Sequence, residues 1–146
     1  MEKVIRAEYP RPQFVRKNWM NLNGLWQFEI DQSKSGMDRE LYKAEALKDS
    51  IIVPFCPESK LSGVGFTDFM NCVWYRREIE LCEEWLQGVQ HCEDKILLHF
   101  GAVDYKAIVY VNGEEAGSHI GGYVSFTMDI TKYLNATTKN VITICV

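Results

Sequence analysis

The chain has 146 residues, of which 47% are apolar or aromatic and 25% are charged. This length predicts one domain with its own core, and the composition excludes a disordered or collagen-like chain. The net charge of -4 argues against a nucleic-acid partner, because such proteins carry a positive field toward the phosphate backbone. The apolar runs, such as residues 107–111, are far shorter than the roughly 20 residues that span a bilayer, so we expect no membrane partner.

Alternation of apolar and polar residues predicts a chain made mostly of strands. Along residues 73–81 the polar side chains Arg76, Glu78 and Glu80 share one face, which predicts a half-buried strand. Asn112-Gly113 predicts a hairpin turn, because both residue types tolerate a positive φ. In chain order, the predicted strands are residues 22–30, 51–53, 73–81, 95–100, 105–111, 114–119, 124–130 and 141–146.

Helical signals are scarce. Residues 37–47 have helical spacing with Asp38 as a candidate cap, residues 83–86 predict a short helical turn, and Asp129 is a candidate cap for another. Many short strands separated by turn residues predict an all-β fold, an antiparallel β-sandwich or jelly roll, in a single domain over residues 1–146. The chain stops at Val146 inside an apolar strand pattern, so we expect it to be a fragment of a longer protein.

The cysteines argue against a disulfide framework and against a zinc knuckle, because their number is odd and none stands in a C-x-x-C pair. The first twenty residues contain no apolar segment of a secretory signal. We therefore expect reduced thiols in a cytoplasmic protein. A glycosylation sequon at residues 135–137 matters only if the chain is secreted. The cysteines are Cys56, Cys72, Cys82, Cys92 and Cys145.

No pattern in the sequence predicts catalytic or metal chemistry. The three histidines lack metal-ligand spacing, and neither a nucleophile motif nor a phosphate-binding glycine motif occurs. Glu114 and Glu115 are neighbours in a predicted strand, so they point to opposite faces and cannot act on one substrate together. Trp26 and Trp74 lie within strand patterns, which favours a place in the core over a platform for sugar rings.

A series of short segments nevertheless has a characteristic order. The segments are LNGLWQF (22–28), VPFCPES (53–59), VWYRR (73–77), FGAVDY (100–105), VNG (111–113), GSHIGGYVSF (117–126) and DIT (129–131). Over about residues 8–146 this set resembles the N-terminal sugar-binding domain of family 2 glycoside hydrolases, the β-galactosidase and β-glucuronidase group. The resemblance implies a galactose-binding-like jelly roll. In the parent an immunoglobulin-like domain and a catalytic (β/α)8 barrel follow it.

The barrel holds the two catalytic glutamates of that family, and no residue of this chain matches their motifs. The resemblance therefore implies no catalytic residue, no metal and no cofactor here. In β-galactosidases the loop before the Trp-Tyr-Arg-Arg strand reaches the active site. In this chain the loop is residues 65–72, where Asn71 resembles the asparagine that approaches the sugar and Asp68 is its companion. Ordinary turn chemistry is an equally good interpretation of both residues.

The implied function is that of a non-catalytic domain in a retaining β-galactosidase or β-glucuronidase of carbohydrate metabolism. Its expected partners are a β-galactoside or β-glucuronide and the rest of its own chain, in a homo-oligomeric parent. Two alternatives remain open. One is a stand-alone carbohydrate-binding module without a hydrolase partner, and the other is a purely structural domain.

Overall fold

A computed structural model describes residues 5–91, 94–135 and 139–146. Within these residues the chain forms antiparallel strands and one short α-helix, so the all-β prediction is confirmed, and each predicted strand is present. The elements are β1 (Gly24–Ile30), β2 (Asp49–Val53), β3 (Val73–Glu80), α1 (Glu83–Gln90), β4 (Leu97–Phe100), β5 (Lys106–Val111), β6 (Glu114–Ile120), β7 (Phe126–Asp129) and β8 (Lys139–Cys145).

The strands form two antiparallel sheets. The larger sheet has the order β2-β1-β3-β8-β5-β6, and the smaller one pairs β4 with β7. The main core contains the inward side chains of both, including the fully enclosed Phe28, Val109 and Ile142 of the larger sheet and Leu98 of the smaller one. Burial of each such large apolar side chain stabilises the fold by about 1.5–3 kcal/mol. The core therefore lies between the sheets, as in a β-sandwich.

The opposite face of the larger sheet is also covered. Trp74 and Tyr110 are only 0% and 3% exposed there, and Leu41 and Leu47 from the segment between β1 and β2 pack on them. Arg76 is buried under the same segment and donates a hydrogen bond from Nε to the carbonyl oxygen of Ala44 at 2.9 Å. The prediction of a half-buried strand is therefore wrong for the beginning of β3, while the predicted core position of Trp74 is confirmed.

The predicted helix over residues 37–47 is wrong. The segment has a single 3-10 turn, Leu41–Lys43, and the residue before it, Glu40, has a left-handed backbone with φ of 52°. A left-handed residue interrupts a right-handed helix, and the exposed Asp38 caps none. The backbone instead turns so that both Leu41 and Leu47 pack on the sheet. Burial against the sheet thus overrides weak helical spacing.

The two short helical turns are confirmed. The first turn, predicted for residues 83–86, is the beginning of the longer helix α1. Glu83 and Glu84 lie in its first turn, where negative charge interacts favourably with the positive end of the helix dipole. The second is Thr131–Tyr133. Its N-cap residue is Ile130, so the predicted cap position of Asp129 is wrong by one residue, although the Asp129 carboxylate accepts the backbone N–H of Thr131 at 3.1 Å. Among the described residues no helix is long and apolar enough to cross a membrane. Cys92 and sequon residues 136–137 lie outside the described residues.

Candidate functional site: loops at one end of the sandwich

Antiparallel pairing brings several connections to one end of the larger sheet. Ile30 at the end of β1 lies opposite Val73 at the start of β3, and Ile108 in β5 lies opposite Cys145 at the end of β8. The end of β1, the start of β3 and the end of β8 therefore lie at the same end of the larger sheet. We call the connections that meet there the end loops. They are residues 31–48, 65–72, 101–105 and 121–125.

Asn71 is anchored to a second end loop through Gln32. Its Nδ2 donates to the carbonyl oxygen of Gln32 at 2.8 Å, and its backbone N–H donates to Oε1 of the same glutamine at 3.2 Å. The Gln32 amide in turn donates from Nε2 to the carbonyl oxygen of Phe69 at 2.7 Å. These bonds are the local loop chemistry typical of asparagine and glutamine. No described residue donates to Oδ1 of Asn71, which leaves an acceptor at a fixed position on an exposed loop.

Asp68 lies exposed in the same loop as Asn71. The structure brings both residues into one end loop, and within the described residues no hydrogen bond joins their side chains. Between them, the Phe69 side chain is 80% exposed. Nothing in this geometry tests contact with a sugar, so that role of Asp68 and Asn71 stays a prediction.

Asn71 also lines a cleft of about 310 Å³ beside the ends of the central strands β3, β5 and β8 of the larger sheet. The residues that line the cleft include the polar Asn71, Lys34, Lys106 and Asp31 and the apolar Ile108. A few polar groups beside an apolar surface are the usual means of orienting a small ligand. Sequence reasoning missed this cleft because its lining residues are far apart in the chain and come together only in the folded sandwich.

Two buried carboxylates, Glu29 and the cleft residue Asp31, are held in ion pairs, both of them with Arg39. Oε1 of Glu29 accepts from Nη1 of Arg39 at 2.7 Å and from Nζ of Lys48 at 3.0 Å. Asp31 accepts the backbone N–H of Gly36 at 2.6 Å. Burial raises the pKa of each carboxyl, but the hydrogen bonds outweigh burial, so both pKa values lie below the ordinary range. Both groups are therefore ionised at neutral pH and engaged, which makes neither suited to donate a proton as a general acid.

The histidines of the sandwich have ring contacts. His99 shares a hydrogen bond of 2.7 Å with the Thr127 hydroxyl, and its ring stacks on Trp19 with the centroids 6.0 Å apart. His119 stacks on Phe126 at 4.1 Å. Across residues 5–91, 94–135 and 139–146, no group of three or more His, Cys, Asp or Glu side chains is arranged to hold a metal ion. The rings of His99 and His119 therefore contribute packing contacts to the sandwich.

Large apolar side chains are exposed on and beside the end loops. Tyr123 is 97% exposed, Tyr105 64% and Phe69 80%, and Ile120 and Val124 are exposed beside the tyrosines. The Gly121 N–H donates to the carbonyl oxygen of Tyr105 at 2.9 Å, which joins two of the loops. Exposed apolar side chains at one end of a domain indicate a surface suited to pack against another protein domain.

Comparison with known proteins gives consistent matches. The family model described as "Glycosyl hydrolases family 2, sugar binding domain" matches residues 19–146. The β-glucuronidase of Felis catus is 31% identical over 135 residues, which cover 88% of this chain and 20% of that protein. The β-glucuronidase of Paenibacillus borealis is 30% identical over 141 residues, which cover 94% of this chain and 22% of that protein.

A structural match supports the same grouping. The structure of Ruminococcus gnavus β-glucuronidase in complex with C6-substituted uronic isofagomine superposes with a TM-score of 0.72 at 27% identity. The match covers 86% of this chain and 20% of that one. Together with the antiparallel topology, it confirms the predicted jelly-roll sandwich. The chain spans about a fifth of the length of these relatives.

Proposed function

Because the chain belongs to the sugar-binding domain family of the family 2 glycosyl hydrolases, we propose that it is the non-catalytic N-terminal domain of a retaining β-glycosidase. The family match over residues 19–146 is the observation that carries this proposal. Relatives about five times as long as this chain support the idea that the hydrolytic machinery lies elsewhere in a longer protein.

The substrate class we propose is a β-glucuronide. The sequence pattern left β-galactosides and β-glucuronides open. The relatives and the solved structure described above are β-glucuronidases, and the solved structure is a complex with a C6-substituted uronic isofagomine. These matches support the glucuronide and give no support to the galactoside.

Chemistry within the described residues supports a non-catalytic role. Retaining glycosidases need two carboxyl groups about 5–5.5 Å apart, one of them protonated. The buried carboxylates Glu29 and Asp31 have lowered pKa values and are occupied by Arg39, Lys48 and backbone N–H groups. They hold a loop on the sheet and offer no proton donor to a glycosidic oxygen.

The contribution we propose for the end loops has two parts. The exposed aromatic residues Phe69, Tyr105 and Tyr123 pack on the catalytic barrel, because burial of such surface stabilises association. Asn71, with Asp68 as its companion, helps shape the sugar subsite. The Gln32 anchor supports this role for Asn71, since a residue already fixed in place loses little freedom when it binds a ligand.

Hydrolysis of chromogenic glycosides tests the proposal. The full-length protein and the 146-residue chain are each assayed with p-nitrophenyl β-glucuronide and p-nitrophenyl β-galactoside. We expect the full-length protein to prefer the glucuronide and the 146-residue chain to hydrolyse neither. Hydrolysis by purified chain alone contradicts the non-catalytic role. A full-length protein that binds glucuronic acid but hydrolyses neither substrate indicates a stand-alone binding module instead.

A further inference from the structure

Two cysteine thiols face each other across neighbouring strands. Cys72 directly precedes β3, Cys145 is the last residue of β8, and their sulfur atoms lie 3.3 Å apart although the two cysteines are 73 positions apart in the sequence. Beside them, Val73 and Val146 exchange two backbone hydrogen bonds of 2.9 Å, which fix the spacing of the two backbones. The remaining described cysteines, Cys56 and Cys82, are exposed thiols.

We propose that Cys72 and Cys145 form a reactive dithiol, which a small-molecule disulfide converts into an intramolecular disulfide. The sulfur atoms must approach from 3.3 Å to about 2.0 Å, a short movement for residues at the ends of strands. Both residues line the cleft that contains Lys34 and Lys106, so a small oxidant reaches them from solvent. This modification site does not depend on the proposed function.

The surroundings give the two thiols different roles. The hydrogen bond shared with the Cys145 thiol lowers the pKa of Cys72, and the charge of Lys34 acts in the same direction, against burial and the charge of Asp31. The hydrogen bond to Cys72 and burial raise the pKa of Cys145. The thiolate is the nucleophile in disulfide exchange, so Cys72 attacks first and Cys145 is the resolving thiol.

The exchange balances with oxidised glutathione as the oxidant. The Cys72 thiolate attacks one sulfur of the glutathione disulfide, forms a mixed disulfide and releases one glutathione thiolate. Loss of the Cys72 thiolate removes the group that held the proton on Cys145. The Cys145 thiolate then attacks the Cys72 sulfur, forms the intramolecular bond and releases the second glutathione thiolate. The two protein thiol protons pass to the two glutathione thiolates, and two electrons pass from the protein to glutathione.

Peptide mapping tests the proposal on the folded 146-residue chain. The chain is incubated with oxidised glutathione, quenched in acid, alkylated and digested, and the products are identified by mass spectrometry. We expect a linked Cys72–Cys145 peptide, formed with about a tenfold or greater preference over glutathionylation of Cys56 or Cys82, because the paired thiols are already close together. Equal modification of all described cysteines, or a linked pair that includes Cys56 or Cys82, overturns the proposal.

Serine variants separate the two roles. In Cys145→Ser, Cys72 should stop at the mixed disulfide with one glutathione. In Cys82→Ser, the matched control at an exposed cysteine, the Cys72–Cys145 link should form as in the wild type. An unmodified Cys72 in Cys145→Ser, with Cys56 modified in the same sample, contradicts the assignment of Cys72 as the attacking thiol. The wild-type peptide map decides the existence of the link even if a variant fails to fold.

Discussion

Asn112 joins the β5–β6 hairpin to two other parts of the sandwich. Its backbone is left-handed with φ of 51°, and Gly113 follows at φ of 82°, as a two-residue hairpin turn requires. Its Nδ2 donates to the carbonyl oxygen of Tyr133 at 2.8 Å and to Oδ1 of Asn140 at 2.7 Å. Its Oδ1 accepts the backbone N–H of Val141 at 2.9 Å. One side chain therefore combines a turn conformation with three tertiary hydrogen bonds.

Two substitutions separate these contributions. Asn112→Gly keeps the left-handed backbone accessible and deletes three hydrogen bonds, each worth about 0.5–1.5 kcal/mol, so the free energy of unfolding should fall by about 1.5–4.5 kcal/mol. Asn112→Ala deletes the same bonds and also forces a residue with a β-carbon into the left-handed region. That strain should add about 1–2 kcal/mol.

Urea unfolding followed by tryptophan fluorescence measures the difference. We expect stability in the order wild type, Asn112→Gly, Asn112→Ala. The matched control is Asn71→Ala, because that asparagine lies in an exposed loop and, within the part of the chain that the structure describes, its side chain donates only to the carbonyl oxygen of Gln32. Its loss should cost less than about 1.5 kcal/mol. An Asn112→Ala variant as stable as wild type, or more stable than Asn112→Gly, refutes the reasoning.

Two further predictions concern the turn and the buried carboxylates. Gly113→Val should lower the free energy of unfolding by about 1–3 kcal/mol, because a β-branched residue resists a φ of 82°, and an unchanged urea midpoint argues against this turn. Because the folded pKa values of Glu29 and Asp31 are lowered, their stabilisation should be complete above about pH 5 and decrease as the pH falls through the folded values. In urea titrations between pH 7 and pH 3, Asp31→Asn should be less stable at pH 7 and should lose stability less steeply on acidification. Equal slopes for wild type and variant count against the carboxylate's role.

The strands and the hairpin were predictable because their signals are local. Alternation of side chains identifies β3 from neighbouring residues alone, and Asn112-Gly113 specifies its turn within two positions. Such patterns reflect backbone geometry, which a short window of sequence contains.

The burial of the outer face of the larger sheet was not predictable in this way. Residues 37–47 have some helical spacing, and only the presence of Trp74 and Tyr110 on the outer face of the larger sheet, where Leu41 and Leu47 pack on them, makes a loop the better arrangement. The same holds for Arg76. Its charge predicts a solvent-exposed side chain, but in the folded chain the segment with Ala44 covers it and accepts its hydrogen bond. Contacts between residues far apart in the sequence determine where these side chains lie, and the periodicity of a short segment contains no information on such contacts.

The candidate site also has a part that the sequence indicated and a part that depends on the folded chain. Family resemblance indicated the loop with Asp68 and Asn71, but its anchor on Gln32 depends on two loops that meet only in the folded chain. The thiol pair of Cys72 and Cys145 depends on the pairing of β3 with β8 across 73 residues. An odd cysteine count suggested isolated thiols, and strand order brought two of them together.

The most direct test of the account is the kcat/KM of the full-length protein for a β-glucuronide with Asn71 replaced by alanine. Loss of one neutral hydrogen bond to the sugar should cost about 0.5–1.5 kcal/mol, which predicts a kcat/KM lower by about 2- to 13-fold. Gln32→Ala is the control, because it removes the amide anchor and keeps the Asn71 side chain, so its effect should be smaller. Wild-type kinetics for Asn71→Ala on the best glucuronide substrate would contradict a sugar-shaping role for this domain.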